Sequence, residues 1–133
     1  MVPACSNGHH GDVVVVVEDD DDIRSSLKFV LDYANYRVLT AADGAEALKL
    51  LDGLNDSPCL VLLDLMMPVM DGWDLCDEMR GDKRWRDIPI YVLSGVSNIG
   101  EETRQLDVDG YLKKPFGVGD VVDIASRYCC VAD

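Results

Sequence analysis

The sequence predicts a doubly wound α/β domain, a parallel sheet covered by helices on both faces, and two observations carry that prediction. Short apolar runs of strand length alternate five times with segments whose apolar residues recur at helical spacing. The first run, Val13-Val14-Val15-Val16-Val17, breaks straight into Glu18-Asp19-Asp20-Asp21-Asp22. Uninterrupted Val suits a strand buried on both faces, and ligands of such sheets gather at the carboxyl ends of the strands.

The elements follow in order. Val13–Val17 is the first strand; Asp22–Ala34 reads as a helix with Ile23, Leu27, Val30, Leu31 and Ala34 on one face; Tyr36–Thr40 is a second strand. A helix from about Gly44 to Leu54 uses Ala47, Leu48, Leu51 and Leu54, and a strand follows over Cys59–Leu63. Pro68 and the Asp71-Gly72 turn separate that strand from a helix near Gly72–Arg80, built on Trp73, Cys76 and Met79. Strand Ile88–Leu93, a weak helix near Glu101–Leu106, strand Tyr111–Leu112 and a last helix from Val118 to about Tyr128 complete the series. Residues 1–11 read as a flexible tail carrying His9-His10, 12–130 as one domain, and 131–133 as a C-terminal tail.

Composition narrows the function. The 133 residues fit one core that needs neither a disulfide nor a structural metal. Twelve basic against 25 acidic residues give a net charge of −13, which argues against nonspecific binding to nucleic acid or an anionic membrane. No apolar stretch reaches membrane-spanning length, and the start lacks signal-peptide character. Cys59 and Cys76 fall inside apolar patterns, Cys5, Cys129 and Cys130 make the count odd, and no C-x-x-C spacing occurs. The expectation is unpaired thiols and a reducing, cytoplasmic compartment.

The chemistry gathers at strand ends. Asp64 follows the third apolar run, Ser94 follows Ile90-Tyr91-Val92-Leu93, and Lys113-Lys114-Pro115-Phe116 follows the fifth. If the first and third strands are neighbours, Asp64 faces Glu18 and Asp19 across one small oxygen-lined space. Like charges about 4 Å apart repel by roughly 4 kcal/mol at an effective dielectric near 20, so such a cluster calls for a cation. A hard divalent ion such as Mg²⁺ suits it. Other readings are blander: Asp21 and Asp22 serve as helix capping, Asp20 is left between capping and holding metal-bound water, and Asp71-Gly72 is a turn and helix start. Gly117-x-Gly119 lacks a dinucleotide fingerprint, and Met66, Met67 and Met70 read as packing.

From about Asp12 to Tyr128 the chain resembles bacterial response-regulator receiver domains, CheY-like in pattern. The residues that carry the likeness are Glu18-Asp19, the loop from Asp64 to Gly72, Ser94, Tyr111 and Lys114-Pro115-Phe116. The resemblance implies a flavodoxin-like (βα)5 three-layer sandwich with a five-stranded parallel sheet in the order 2-1-3-4-5, the order that general descriptions of the fold give for CheY. It implies that Asp64 is the phosphoacceptor of a two-component system. The implied Mg²⁺ ligands are Glu18, acting partly through water, Asp19, Asp64 and the Met66 carbonyl, with Ser94 and Lys114 on the phosphoryl oxygens. Ser94 and Tyr111 form the implied switch.

The implied partners are a sensor histidine kinase or phosphotransfer protein and a downstream protein; neither direct nucleic-acid binding nor a membrane contact is expected, and the oligomeric state is left open. The domain is expected not to be an enzyme beyond its own phosphoryl uptake and slow loss. A phosphohydrolase of the haloacid-dehalogenase type needs a second acid two residues after its nucleophile, and Met66 stands there. The alternative is a pseudo-receiver that binds partners without phosphorylation. It is motivated by the twenty positions from Ser94 to Lys114, about two fewer than the family pattern, two residues being roughly 3 Å of helix axis.

Overall fold

The computed structural model describes residues 13–65, 70–95 and 107–129. Five parallel strands form one sheet in the order β2-β1-β3-β4-β5: β1 (Val13–Val17), β2 (Arg37–Ala41), β3 (Leu60–Asp64), β4 (Ile90–Ser94) and β5 (Gly110–Lys113). The described helices are α1 (Asp21–Tyr33), α2 (Gly44–Gly53), α3 (Gly72–Arg80) and α4 (Val118–Tyr128). This is the doubly wound, flavodoxin-like sandwich expected. The helix expected near 101–106 lies outside the described residues, as do Met66, Met67, His9, His10, Cys5 and Cys130.

The alternation of β1 explains the layers. Val14 and Val16 pack with Leu27 and Leu31 of α1 and with Val121, Ile124 and Ala125 of α4. Val15 and Val17 point the other way, onto Ala47 and Leu51 of α2 and Leu75, Cys76 and Met79 of α3. Val14 to Val17 have no exposed surface, and burying such a side chain contributes about 1.5–3 kcal/mol. Among the described residues no helix is long and apolar enough to cross a membrane.

Local chemistry sets the helix ends. Asp20 is the N-cap of α1, accepting from the Ile23 amide at 3.0 Å, so the cap falls one residue before the Asp21 and Asp22 that the sequence suggested. Those two occupy the first turn, where carboxylates oppose the positive end of the helix dipole. Asn35, at φ 72°, closes α1: its amide donates to Asp32 and the Tyr36 amide to Leu31, both at 3.0 Å. Strands β2 and β3 each start and end one residue later than their apolar runs suggested. Asp64 is still paired with Leu93, so the acid belongs to the strand.

The cysteines correct the sequence reading. Cys59, just before β3, and Cys129, just after α4, form a disulfide across a sequence separation of 70, with their Cα atoms 5.3 Å apart. Each looked unpaired because its partner arrives only through the packing of α4 against the face shared by Val14 and Val16. The thiol count therefore no longer speaks to the compartment. Cys76, on the buried face of α3, is free, and burial pushes its thiol pKa up to about 12.

Candidate functional site

The sheet register decides which side chains meet. Val17 pairs with Leu63, so Glu18 and Asp64 are the next residues along adjacent strands, which lie about 4.8 Å apart. The Glu18 amide still donates to the Ala41 carbonyl at 3.0 Å, so β1 stays pinned in the sheet up to its first acid. Ser94 pairs with Lys113, and the Lys114 amide donates to the Ser94 carbonyl at 2.8 Å. Four strands thus deliver Glu18, Asp64, Ser94 and Lys114 to one rim.

Glu18, Asp19 and Asp64 each offer an oxygen within 4.8 Å of the others. Glu18 is fully buried, Asp64 nearly so at 4% exposure, and Asp19 is open to solvent. The Lys114 ammonium donates to Glu18 Oε1 at 2.6 Å and stands 3.6 Å from Asp64 Oδ2. One cation facing three carboxylates leaves an excess of negative charge. Burial opposes ionisation of Glu18, but the Lys114 ammonium at 2.6 Å prevails and holds its carboxyl below the usual value. Burial likewise works against the charged Lys114, and the Glu18 and Asp64 carboxylates outweigh it, raising the ammonium's pKa.

Among the described residues, Glu18 Oε2 is the buried side-chain oxygen without a hydrogen-bond partner. An orphaned carboxylate oxygen beside two further acids fits a hard cation such as Mg²⁺, whose ligands are oxygens. The fourth expected ligand, the Met66 carbonyl, lies outside the described residues. Ser94 is buried at the carboxyl end of β4, and Tyr111, on the edge strand, is 48% exposed. Asp20 spends one oxygen on its cap, and Lys113 is exposed.

One neighbour of the cluster, Gly72, read in the sequence only as part of a turn and helix start, and another, Arg24, was given no role there. Gly72 opens α3 immediately behind β3: its amide donates to the Leu65 carbonyl at 3.0 Å, and a Cβ there would lie 2.6 Å from Leu65 Cα and 2.7 Å from the Asp64 carbonyl. Only glycine allows that approach, whereas the sequence offered a turn. Asp71 is the α3 N-cap, accepting from the Asp74 amide at 3.0 Å, as the turn reading required. Arg24, on α1, reaches back to the main chain of the acid pair. A basic residue one turn into an acidic helix start is the only signal the sequence carries for it.

Known proteins share this chain's sequence pattern and fold. A family model of the response regulator receiver domain matches residues 14–126. Response regulator MprA of Mycobacterium sp. (strain KMS) is 40% identical over 104 residues, 75% of this chain and 43% of that protein. This chain spans less than half the length of the curated relatives it matches. The chemotaxis protein CheY4 of Vibrio cholerae superposes with a TM-score of 0.78 at 29% identity, covering 87% of this chain and 97% of that one. The receiver domain of the sensor histidine kinase PA1611 from Pseudomonas aeruginosa, which holds a magnesium ion in its active-site cleft, gives a TM-score of 0.79 at 28% identity, covering 89% and 97%.

Proposed function

This chain belongs to the response regulator receiver domain family, and on that premise we propose that Asp64 accepts a phosphoryl group from a histidine kinase, a phosphotransfer protein or a small donor such as acetyl phosphate. The observation that carries this reading is the meeting of Glu18, Asp19 and Asp64 within 4.8 Å with the Lys114 ammonium beside two of them. A phosphohistidine- or acyl-phosphate-fed transfer needs an ionised oxygen nucleophile, in-line approach and neutralisation of the equatorial oxygens, and little else. That set is complete enough to disfavour a vestigial, phosphorylation-independent module.

The step is a simple exchange of bonds. An Asp64 carboxylate oxygen bonds to phosphorus as the P–N bond of the donor histidine, or the P–O bond of acetyl phosphate, breaks. The electron pair leaves with the donor, and the imidazole takes up a proton. Asp64 needs no general base, because it attacks as a carboxylate. Glu18, Asp19, Asp64 and the Met66 carbonyl would hold Mg²⁺, which would supply most of the charge neutralisation. Lys114, 2.6 Å from Glu18 and 3.6 Å from Asp64, needs only a short displacement to give its ammonium to a phosphoryl oxygen.

Ser94 then turns its hydroxyl to another phosphoryl oxygen, and Tyr111 moves from its half-exposed position towards the space released. A modification shifts a two-state equilibrium only by its unequal interaction with the two states, and these contacts supply the inequality. An apolar groove of about 460 Å³, lined by Ile23, Leu27, Val30, Phe116 and Val121, runs from Lys114 between α1 and α4. It gives a donor protein a docking surface contiguous with the acceptor.

The test is intact mass after incubation with acetyl phosphate and Mg²⁺. One added phosphoryl group is expected, lost with EDTA and in Asp64→Asn. An unchanged mass with acetyl phosphate, phosphoramidate and a panel of histidine kinases would reject the reading.

A further inference from the structure

We infer that Arg24 is a positioning residue for the cation site: its guanidinium grips the main chain of Glu18 and Asp19 and thereby aims their carboxylates. The inference rests on the reading of Glu18, Asp19 and Asp64 as a cation site. It goes beyond that reading by assigning a task to a residue that touches neither the ion nor the phosphoryl group.

The geometry is specific. The strand ends at Val17, and the Glu18 amide makes one more bond, to the Ala41 carbonyl, before the chain turns into α1. Arg24 Nη1 donates to the Glu18 carbonyl at 2.9 Å and to the Asp19 carbonyl at 3.4 Å, while Nη2 is held by Asp21 Oδ1. The Arg24 amide also donates to the Asp20 carbonyl at 2.9 Å within the helix, so one residue ties α1 to three consecutive peptides of the β1–α1 turn. The Arg24 side chain is 21% exposed, so the fork is largely sheltered from water. Asp19 itself is exposed, so its aim depends on how its peptide is held. A planar fork with several fixed donors can grip two carbonyls and a carboxylate together, and a lysine ammonium cannot match that geometry.

Charge and position pull in opposite directions at this residue, which makes the sign of the outcome decisive. Removing a cation from beside an acid cluster should, by Coulomb attraction alone, tighten the binding of a divalent ion. Losing the grip on the ligand-bearing peptides should weaken it, and removal of groups that orient metal ligands typically costs 10–100-fold in affinity.

Calorimetric Mg²⁺ titrations of wild type, Arg24→Gln and Arg24→Lys decide between these. Thermal melts in EDTA identify variants that remain folded. Positioning predicts about tenfold weaker Mg²⁺ binding in Arg24→Gln and a clear loss in Arg24→Lys, which keeps the charge. It also predicts that the acetyl phosphate reaction recovers towards the wild-type rate at saturating Mg²⁺, the deficit lying in the half-saturating concentration. Tighter binding in Arg24→Gln with an unchanged Kd in Arg24→Lys would overturn the inference while leaving the cation site standing. Absence of Mg²⁺ binding by the wild-type chain would overturn the site and the inference together.

Discussion

Asp19→Asn should make the metal-free protein more stable and cancel most of what Mg²⁺ adds. In wild type, Asp19 contributes two of the three carboxylate pairs that lie within 4.8 Å. At that distance each pair repels by about 3.5 kcal/mol at an effective dielectric of 20 and about 0.9 kcal/mol in water. Asp19 is exposed, so the lower figure applies, and losing two pairs releases about 2 kcal/mol. The backbone contact to Arg24 and the cap at Asp20 are untouched by the amide. In EDTA, urea denaturation should therefore show the variant's midpoint raised by about 1 M, taking a typical slope of 1–3 kcal/mol/M. Mg²⁺ at about 100 times Kd adds about 2.7 kcal/mol to wild type. The variant, short of one ligand, gains little, so its advantage vanishes. High salt should shrink the EDTA difference, since exposed charges are screened. A variant less stable than wild type in EDTA, or equal gains from Mg²⁺ in both proteins, would refute the reasoning.

Other outcomes follow from single contacts. Reducing the Cys59–Cys129 disulfide, or changing both residues to Ser, should cost about 3–4 kcal/mol, because the cross-link closes a loop of 70 positions in the unfolded chain; denaturation midpoints that are identical with and without reductant would contradict this. Gly72→Ala sets a methyl group 2.6–2.7 Å from the backbone of Leu65 and Asp64. It should destabilise by about 1–3 kcal/mol and weaken Mg²⁺ binding, and calorimetry would show whether the affinity holds instead. Cys76, whose thiol lies up at about 12 against a usual 9.0, should react with iodoacetamide about a thousandfold more slowly at pH 8 than a free thiol. Its raised value favours the protonated folded form, so any stability it contributes is present below pH 9 and fades as the pH climbs towards 12.

Much of this molecule was legible in its sequence because the informative residues are local. The run of five Val had to be a doubly buried strand, and its break into carboxylates had to be a strand end at a cleft. The limits of α3 and α4 came directly from apolar spacing. The meeting of Asp64 with Glu18 and Asp19 was legible only on the condition that β1 and β3 are neighbours, a topological fact that apolar spacing does not encode. The resemblance supplied it.

What escaped the sequence was non-local or depended on small geometry. Cys59 and Cys129 are brought together by a helix crossing the sheet face, so their spacing along the chain held no sign of the bond. Asp20 rather than Asp21 caps α1 because the chain turns one residue earlier than the charge run suggests. Asp107 precedes the edge strand, where its carbonyl accepts from Arg80 Nε at 2.6 Å. Arg80 also donates to the Arg86 and Ile88 carbonyls at 2.6 and 2.8 Å, joining the end of α3 to the entries of β4 and β5. A single arginine in a list of charges gives no hint of three carbonyl partners.

The central claim is that Asp64, and no other acid of the cluster, carries the phosphoryl group. Borohydride reduces an acyl phosphate to an alcohol, so a chain treated with acetyl phosphate and Mg²⁺, then reduced and cut into peptides, should carry homoserine at position 64. Homoserine at position 19 or 5-hydroxynorvaline at position 18 instead, or neither product anywhere despite a gain in mass, would contradict it.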